Sequence, residues 1–323
     1  MEKKKITVIG VGGRTGTMFA FEIAKTANVL GVARENETKK VNEKKLCIDK
    51  GKGLEVFNGK VIKDTDFSQE NTSEVIFLAT KNPVSIPLDY YFQKCFKKPI
   101  FVISQNGIDA AREAEETLQK TTDPEKIKLV RMVLFNAIDK RTIDGKDCFK
   151  YSTPIRVAVS GISNDEDAKE VVKILKKAGF KVNEFTQKDI KNLEYSKLFL
   201  NLIGMASASR GLSIKEGFKD KEVFKEEIDV LREYVKSVRA AGGKFLNFFP
   251  YYPVGVLSLI SYLPIFILVF CRNALAQAIT KGRAKKQKDL DEVDYYNGAV
   301  IKLGKRGGIN TPANNRIYSR IKK

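Results

Sequence analysis

Lys197 stands in Tyr195-Ser196-Lys197-Leu198-Phe199-Leu200-Asn201-Leu202-Ile203, a run that is otherwise mostly apolar and reads as helix. A lone ammonium in such a setting can stabilise negative charge that develops on an oxygen, and can pass that oxygen a proton. Burial and a neighbouring carboxylate act on an ammonium in opposite directions, so the group can be tuned. Asn201 lies one helical turn further on, on the same face. Two other segments carry polar groups beside glycine: Ser104-Gln105-Asn106-Gly107, and Glu292-Val293-Asp294-Tyr295-Tyr296-Asn297-Gly298. The chain has no histidine. That excludes His-dependent hydrolase triads, most catalytic zinc sites, and hydride transfers that use His as the proton donor. Proton transfer falls to Lys, Glu, Asp, Tyr or Cys.

A second pattern lies at the start of the chain. Ile6-Thr7-Val8-Ile9 runs into Gly10-Val11-Gly12-Gly13-Arg14-Thr15-Gly16, with helical sequence expected from Thr17. A strand, a glycine turn and a helix in this order form a dinucleotide-binding turn. Gly10 permits the tight turn, and Gly12 lets the backbone approach a pyrophosphate seated on the helix N-terminus. The third fingerprint position is Thr15, so Gly16 is expected to relieve the helix–strand contact instead. The next strand, Val29 to Ala33, ends in Arg34. NAD-binding proteins place an acid there for the ribose 2′-hydroxyl, whereas a cation favours a 2′-phosphate and hence NADPH. Glu35 follows directly and opposes this.

The elements that must position these residues follow from hydrophobic periodicity. From residue 5 to about 187, short β-branched runs alternate with helical stretches, the pattern of a mostly parallel sheet. Strands are predicted at Ile6–Ile9, Val29–Ala33, Val75–Ala79, Ile100–Ser104, Val130–Leu134 and Ile155–Val159. Asn58-Gly59, set between two apolar runs, predicts a hairpin within 54–66. Glu166–Ala178 reads as a helix that ends at Gly179. Beyond residue 187 strand signals fade. Helices are predicted at Leu193–Ala208, Lys221–Ala240 and Val293–Leu303. The expected architecture is a Rossmann-type α/β domain over 1–187 followed by an all-helical domain over 188–323 for substrate binding and dimerisation.

Composition sets the limits. A chain of 323 residues with 43% hydrophobic residues can build two cores, and with 30% charged residues it reads as folded. The net charge of +19 attracts phosphorylated cofactors and anionic acids. The lysines are scattered, with no basic arm or recognition helix, so no nucleic-acid partner is expected. Cys47, Cys95, Cys148 and Cys271 lie far apart without a CxxC pair, which fits free thiols in a reducing cytosol and offers no metal site. No cleavable signal peptide is read at the N-terminus. Between Lys244 and Arg272 there is no charged residue. The length would suffice to cross a bilayer, but Pro250, Pro253 and Pro264 interrupt it. Buried helices in the helical core or at a subunit interface are the expectation, ahead of a peripheral membrane contact or a span.

Four further segments complete a resemblance to the ketopantoate reductase (2-dehydropantoate 2-reductase) family. Leu78-Ala79-Thr80-Lys81 is similar to its strand ending in Thr/Val-Lys, and Ser104-Gln105-Asn106-Gly107 to its Gln-Asn-Gly. Lys197-Leu198-Phe199-Leu200-Asn201 is similar to its Lys-x-x-x-Asn helix. Glu292-Val293-Asp294-Tyr295-Tyr296-Asn297-Gly298 is similar to its Glu-Ile-Asp-x-x-Asn-Gly. With the glycine turn they stand in the family's order and cover most of the chain. The resemblance implies an NADPH-dependent reduction of a 2-oxo acid, with ketopantoate giving pantoate on the route to coenzyme A. It makes Lys197 the general acid and Glu292 its partner or a substrate ligand. It places Asn201 on the substrate, Asn106 near both nicotinamide and substrate, and Lys81 near the cofactor. A cytoplasmic homodimer is expected. Two departures bear on the substrate. Met205 stands where the family has a second Asn, a soft apolar contact in place of a polar one. The Ser-Ser-Met segment that contacts the substrate carboxylate is absent, and Asn273, Thr280, Lys281 and Arg283 are the candidates to replace it. A more apolar 2-oxo acid, or a non-catalytic NADPH-binding sensor, are the alternatives these departures leave.

Overall fold

A computed structural model describes residues 3–323 apart from 52, 96, 251 and 281–287. Its strands are β1 (Lys5–Ile9), β2 (Asn28–Ala33), β3 (Leu46–Asp49), β4 (Leu54–Val56), β5 (Lys60–Lys63), β6 (Val75–Leu78), β7 (Ile100–Ile103), β8 (Leu129–Leu134), β9 (Asp139–Ile143), β10 (Lys146–Lys150), β11 (Arg156–Gly161) and β12 (Lys181–Phe185). The main sheet has eight strands in the order β12-β11-β8-β7-β6-β1-β2-β5. Every pair in it is parallel except β8 with β11. The α/β class expected from the strand–helix alternation is the one observed, with a helical C-terminal region.

Both faces of this sheet are covered, and for that reason its strands are almost continuously apolar. Side chains alternate sides along a strand. Val75, Phe77, Ile100 and Val102 enter one core together with Met18 and Phe19 of α1 (Arg14–Ile23). Ile76, Leu78, Phe101 and Ile103 enter the other. There they meet α3 (Ser85–Gln93) and α4 (Ala110–Gln119), which follow α2 (Glu35–Asn42) in the chain. Helix α5 (Asp165–Lys177) packs Val171 and Leu175 on the first face and starts at Asn164, whose side chain accepts from the Asp167 N–H.

Several expectations fail for tertiary reasons. Asn58-Gly59 does not close a hairpin: β4 pairs antiparallel with β3, while β5 joins the main sheet parallel to β2. A second sheet, β4-β3-β10-β9, was not legible. In it Cys47 and Cys148 are register partners of the parallel β3–β10 pair and form a disulfide, with Cα atoms 4.4 Å apart. They are not the free thiols expected, and the cysteine pattern therefore gives no argument for a reducing compartment. Cys95 and Cys271 are free.

The chain forms two compact units, one of Met1–Gln105 with Asp109–Ile190, the other of Asn106–Ile108 with Lys191–Lys323. The second contains α6 (Ile190–Leu202), α7 (Met205–Ala208), α8 (Ile214–Lys219), α9 (Lys221–Ala240), α10 (Val254–Ile260), α11 (Ile265–Thr280), α12 (Asn297–Arg306) and α13 (Pro312–Lys322). Helix α9 is its spine, burying Phe224, Val230, Tyr234 and Val238. Its Glu233 carboxylate accepts the Ala313 and Asn314 N–H groups at 2.7 and 3.0 Å, an acid at the start of α13. Asn314 in turn accepts from the Asn297 amide at 3.0 Å. The conspicuous Asn-Gly after Glu292 and the Thr-Pro-Ala-Asn near the end thus tie α12 and α13 to α9.

Two helical expectations are revised. The predicted 193–208 helix breaks at Gly204, which adopts φ 91°. Residues 254–280 form two short helices whose apolar side chains include some of the most exposed in the protein, Phe270 at 88% and Phe266 at 72%. Among the described residues no helix is long and apolar enough to cross a membrane.

Candidate active site

Helix α6 places Lys197 and Asn201 one turn apart, both buried, at 8% and 7% exposure. The Asn201 amide donates to Asn106 Oδ1 at 3.2 Å. The Asn106 amide donates to Glu292 Oε2 at 2.9 Å, and the Tyr296 hydroxyl donates to the same oxygen at 2.8 Å. The polarity of this chain is fixed. Glu292 only accepts, so Asn106 must present its NH₂ to it and its carbonyl to Asn201. Asn201 Oδ1 is then the acceptor end of the series. Four side chains that are up to 190 residues apart in sequence are therefore one connected network.

Gln105, the residue before Asn106, is held within the first unit. Arg131 on β8, fully buried, donates to the carbonyls of Ile103 (3.0 Å), Met132 (2.9 Å) and Gln105 (2.7 Å). Gln105 itself donates to Thr80 Oγ1 at 2.9 Å. Gly107, at φ 105°, turns the chain against Tyr295, where an added Cβ would stand 3.3 Å from that residue's Cβ. Glu292 precedes the 3₁₀ turn Val293–Tyr295, and α12 starts only at Asn297.

The far end of α6 is capped by a cation that the sequence did not single out. Lys288 donates to the carbonyls of Asn201 and Ile203, the latter at 3.2 Å, and its ammonium lies 5.3 Å from the Tyr296 ring centre. A cation suits the carbonyl end of a helix. The corner after α6 is held by Glu227, which accepts from the Gly204 N–H (3.2 Å), the Ser207 N–H (2.9 Å) and the Ser207 hydroxyl (2.8 Å). Burial pushes the Glu227 carboxyl up, and those hydrogen bonds act against the rise. Because α6 ends at Leu202, Met205 does not continue the Lys197–Asn201 face. It is wholly buried in α7. Of the candidates to replace the missing Ser, Asn273 lies on α11 beside Arg272. Thr280 ends that helix, and Lys281 and Arg283 lie outside the described residues.

The N-terminal unit carries the glycine turn. Gly10 and Gly12 adopt φ 97° and 93°, open to glycine at no steric cost. An added Cβ on Gly16 would stand 2.2 Å from the Gly10 carbonyl oxygen, so Gly16 provides the close approach that the third fingerprint glycine normally gives. Helix α1 begins at Arg14, three residues earlier than expected, with Gly13 as its N-cap and no side-chain cap. Val11 is buried, while Gly13 and Arg14 are exposed. The Gly12 N–H closes on Thr17 Oγ1 at 2.9 Å, and the first-turn N–H groups of α1, Thr15 and Gly16 among them, have no intrahelical acceptor. These features fit a dinucleotide pyrophosphate. Arg34 is exposed at the end of β2 and is the N-cap of α2. Its neighbour Glu35 is engaged by Lys63 at 2.8 Å. Glu37 packs on Gly12; Lys40 holds its Oε1 at 3.0 Å, while its Oε2 is a buried acceptor with no hydrogen-bond donor. Lys81 is exposed just past β6, two residues after the Ala79 carbonyl on which Gly10 packs.

A doubly covered, mostly parallel sheet entered through a glycine turn, followed by a helical region with a buried Lys–Asn face, defines a Rossmann-type two-unit protein. The comparisons name the family. The model for ketopantoate reductase PanE/ApbA matches residues 6–137, and that for the ketopantoate reductase PanE/ApbA C terminal matches 284–323. The chain belongs to the ketopantoate reductase family, whose members are oxidoreductases of 2-oxo acids. Among solved structures, a PanE/ApbA family ketopantoate reductase from Ralstonia eutropha JMP134 is 16% identical, with TM-score 0.74 over 98% of this chain and 97% of that one. D-mandelate dehydrogenase with NADH and anilino(oxo)acetate is 17% identical, with TM-score 0.73 over 98% and 97%. A 2-dehydropantoate 2-reductase from Geobacter metallireducens GS-15 is 14% identical, with TM-score 0.71 over 98% and 99%. At these identities the likeness concerns the fold. No curated protein matches the chain.

Proposed function

We propose that this protein reduces a small 2-oxo acid with a nicotinamide dinucleotide, NADPH in preference to NADH, and that ketopantoate is its substrate. The observation that carries the reading is the hydrogen-bonded series Asn201–Asn106–Glu292–Tyr296, built on the helix that bears the buried Lys197. When bound, the dinucleotide supplies the hydride. Gly10 to Gly16 hold its pyrophosphate on the α1 N-terminus, Arg34 pairs with a 2′-phosphate, and Lys81 lies beside the same turn. The engagement of Glu35 by Lys63 removes the nearest competing carboxylate.

The chain's own residues then handle charge and proton. Reduction of a 2-oxo acid builds negative charge on an oxygen next to a carboxylate. Lys197 stabilises that charge and donates the proton from its Nζ. Asn201, with its carbonyl as the free end of the polar series, accepts from a substrate hydroxyl, and Asn106 holds it in place. Glu292 orients Asn106 and sets the field around Lys197. Lys288, its ammonium against the Asn201 carbonyl, brings a cation beside Asn201, which favours an anionic acid there. Met205 in place of the family's second Asn offers no polar partner one turn beyond Asn201, which favours a more apolar 2-oxo acid as the alternative substrate.

One observation favours NADH as a second reading. The buried, donor-less Oε2 of Glu37 beside Gly12 is an acceptor for a ribose hydroxyl. A single set of assays tests both readings. NADPH and NADH oxidation are followed with ketopantoate and with branched and aromatic 2-oxo acids, for the wild type and Lys197→Ala. The expected outcome is turnover of at least one acid, a lower KM for NADPH than for NADH, and a kcat reduced about a hundredfold or more in the variant. A preference for NADH selects the Glu37 reading. Dinucleotide binding with no acid reduced overturns the reductase and leaves a binding protein. The reading includes a homodimer, for which light scattering of the purified protein gives the mass.

A further inference from the structure

We propose that the face carried by α10 and α11 docks on an anionic phospholipid bilayer. The inference stands independently of the reductase reading. The stretch 245–271 has no charged residue, and what it presents to solvent is apolar. On α11, Phe266, Ile267 and Phe270 fall at i, i+1 and i+4, one side of a helix, with exposures of 72%, 38% and 88%. On α10, Val256 and Leu259 are 46% and 61% exposed, and Leu263 in the connecting turn is 43% exposed. Single exposed apolar residues are ordinary, but six within 15 residues form a patch that in soluble proteins marks a binding surface.

Charge decides the occupant. At the C-terminal side of the patch lies a pocket of about 550 Å³ lined by Lys215 and Lys219 of α8 and by Arg272, Asn273, Ala276 and Gln277 of α11. Its polar lining is three cations and two amides, with no carboxylate. Asn273 and Gln277 follow Phe270 at i+3 and i+7, while Arg272 and Ala276 fall further round α11 toward α8, so the pocket borders the phenylalanine side of the helix. Glu216 and Asp220, the acids nearest in sequence, are engaged as caps of α8 and α9. From α9, Arg232 donates to the Ser261 and Leu263 carbonyls (2.7 and 2.6 Å), and Arg239 lies over the Tyr262 ring, so cations also brace the turn between the helices. A bilayer of anionic phospholipid offers apolar chains beneath phosphate groups, the complement of both features. A second copy of this chain offers the same cations again, at a net charge of +19 per copy. The contact lies on the membrane and does not cross it: α10 has 7 residues and α11 has 16.

Co-sedimentation with vesicles tests this. Phosphatidylcholine vesicles are compared with vesicles that also contain phosphatidylserine, at low and high salt. Three proteins are used: the wild type, Phe266→Ser with Phe270→Ser, and Lys215→Gln with Lys219→Gln and Arg272→Gln. Circular dichroism confirms that each variant is folded. The wild type is expected to pellet with the phosphatidylserine vesicles and not with phosphatidylcholine alone, and high salt should weaken the binding. The triple variant should bind roughly a hundredfold more weakly, and the phenylalanine variant should stay in the supernatant. No pelleting, equal pelleting with both vesicle types, or pelleting unaffected by the phenylalanine substitutions would overturn the proposal. So would a dimer in sedimentation velocity that the phenylalanine variant dissociates in the absence of vesicle binding, because the face would then belong to a second copy.

Discussion

Lys197 and Asn201 could be read from sequence because a charged residue inside an apolar helix is conspicuous and the i, i+4 spacing fixes their common face. Asn106 and Glu292 rested on resemblance. The tertiary structure adds the order of donors and acceptors that joins them, and it adds Tyr296, Lys288 and Arg131, none of which carries a local signal. Arg131 is invisible because two of its three carbonyl partners, Ile103 and Gln105, lie on and just after another strand, which no spacing reveals. Gly16 gives the sharpest test at this scale. A Cβ there would lie 2.2 Å from the Gly10 carbonyl oxygen, backbone on both sides, so neither can swing away. Gly16→Ala is expected to lower stability by about 1–3 kcal/mol and to weaken NADPH binding. Thermal melting and a fluorescence titration with NADPH measure the two effects. An unchanged nucleotide affinity would show that the turn does not seat the pyrophosphate.

Elements were legible where periodicity alone decides them and misread where a neighbour decides. The six predicted strands, α5 and α9 agree with their hydrophobic patterns, whereas β12 of the main sheet was not predicted and β5 was read as a hairpin arm. The predicted 54–66 hairpin fails because each of its arms finds a better partner, β3 and β2, earlier in the chain. The long 193–208 helix fails at Gly204, whose corner is secured by Glu227 from α9. The adjacent Glu226 joins elements as well. It receives hydrogen bonds from Arg320 on α13 at 3.2 Å and from Arg210, which follows α7. Burial pushes the Glu226 carboxyl up, but the two guanidinium groups outweigh it and hold the pKa below the ordinary glutamate value of 4.5. A depressed folded-state pKa contributes stability above the unfolded value, and that contribution is lost as pH falls through the folded one. Glu226→Gln should therefore cost about 1–2 kcal/mol near neutral pH, since both arginines can still reach water. The difference from wild type should shrink as the pH drops below about 4. Urea unfolding at a series of pH values reads this directly, and a difference that stays constant with pH would remove the charge argument.

For the whole molecule, the Cys47–Cys148 disulfide ties β3 to β10 across 101 residues of sequence. A cross-link closing so long a loop restricts the unfolded chain, and its removal is expected to cost about 2–4 kcal/mol. Cys47→Ser and Cys148→Ser should each lower the denaturant midpoint by the same amount as adding reductant to the wild type. A wild-type midpoint indifferent to reductant would show that the bond does not contribute. The sequence by itself determined the α/β class, the glycine turn, the Lys197 face and the family, because these depend on residue types at short, fixed separations. Tertiary structure alone decided the second sheet and its disulfide, the break that buries Met205, the joining of Asn106 to Glu292, and the exposure of the α10–α11 phenylalanines. Each of these depends on which distant segments come to lie side by side. An apolar run reads the same whether another helix covers it or water does.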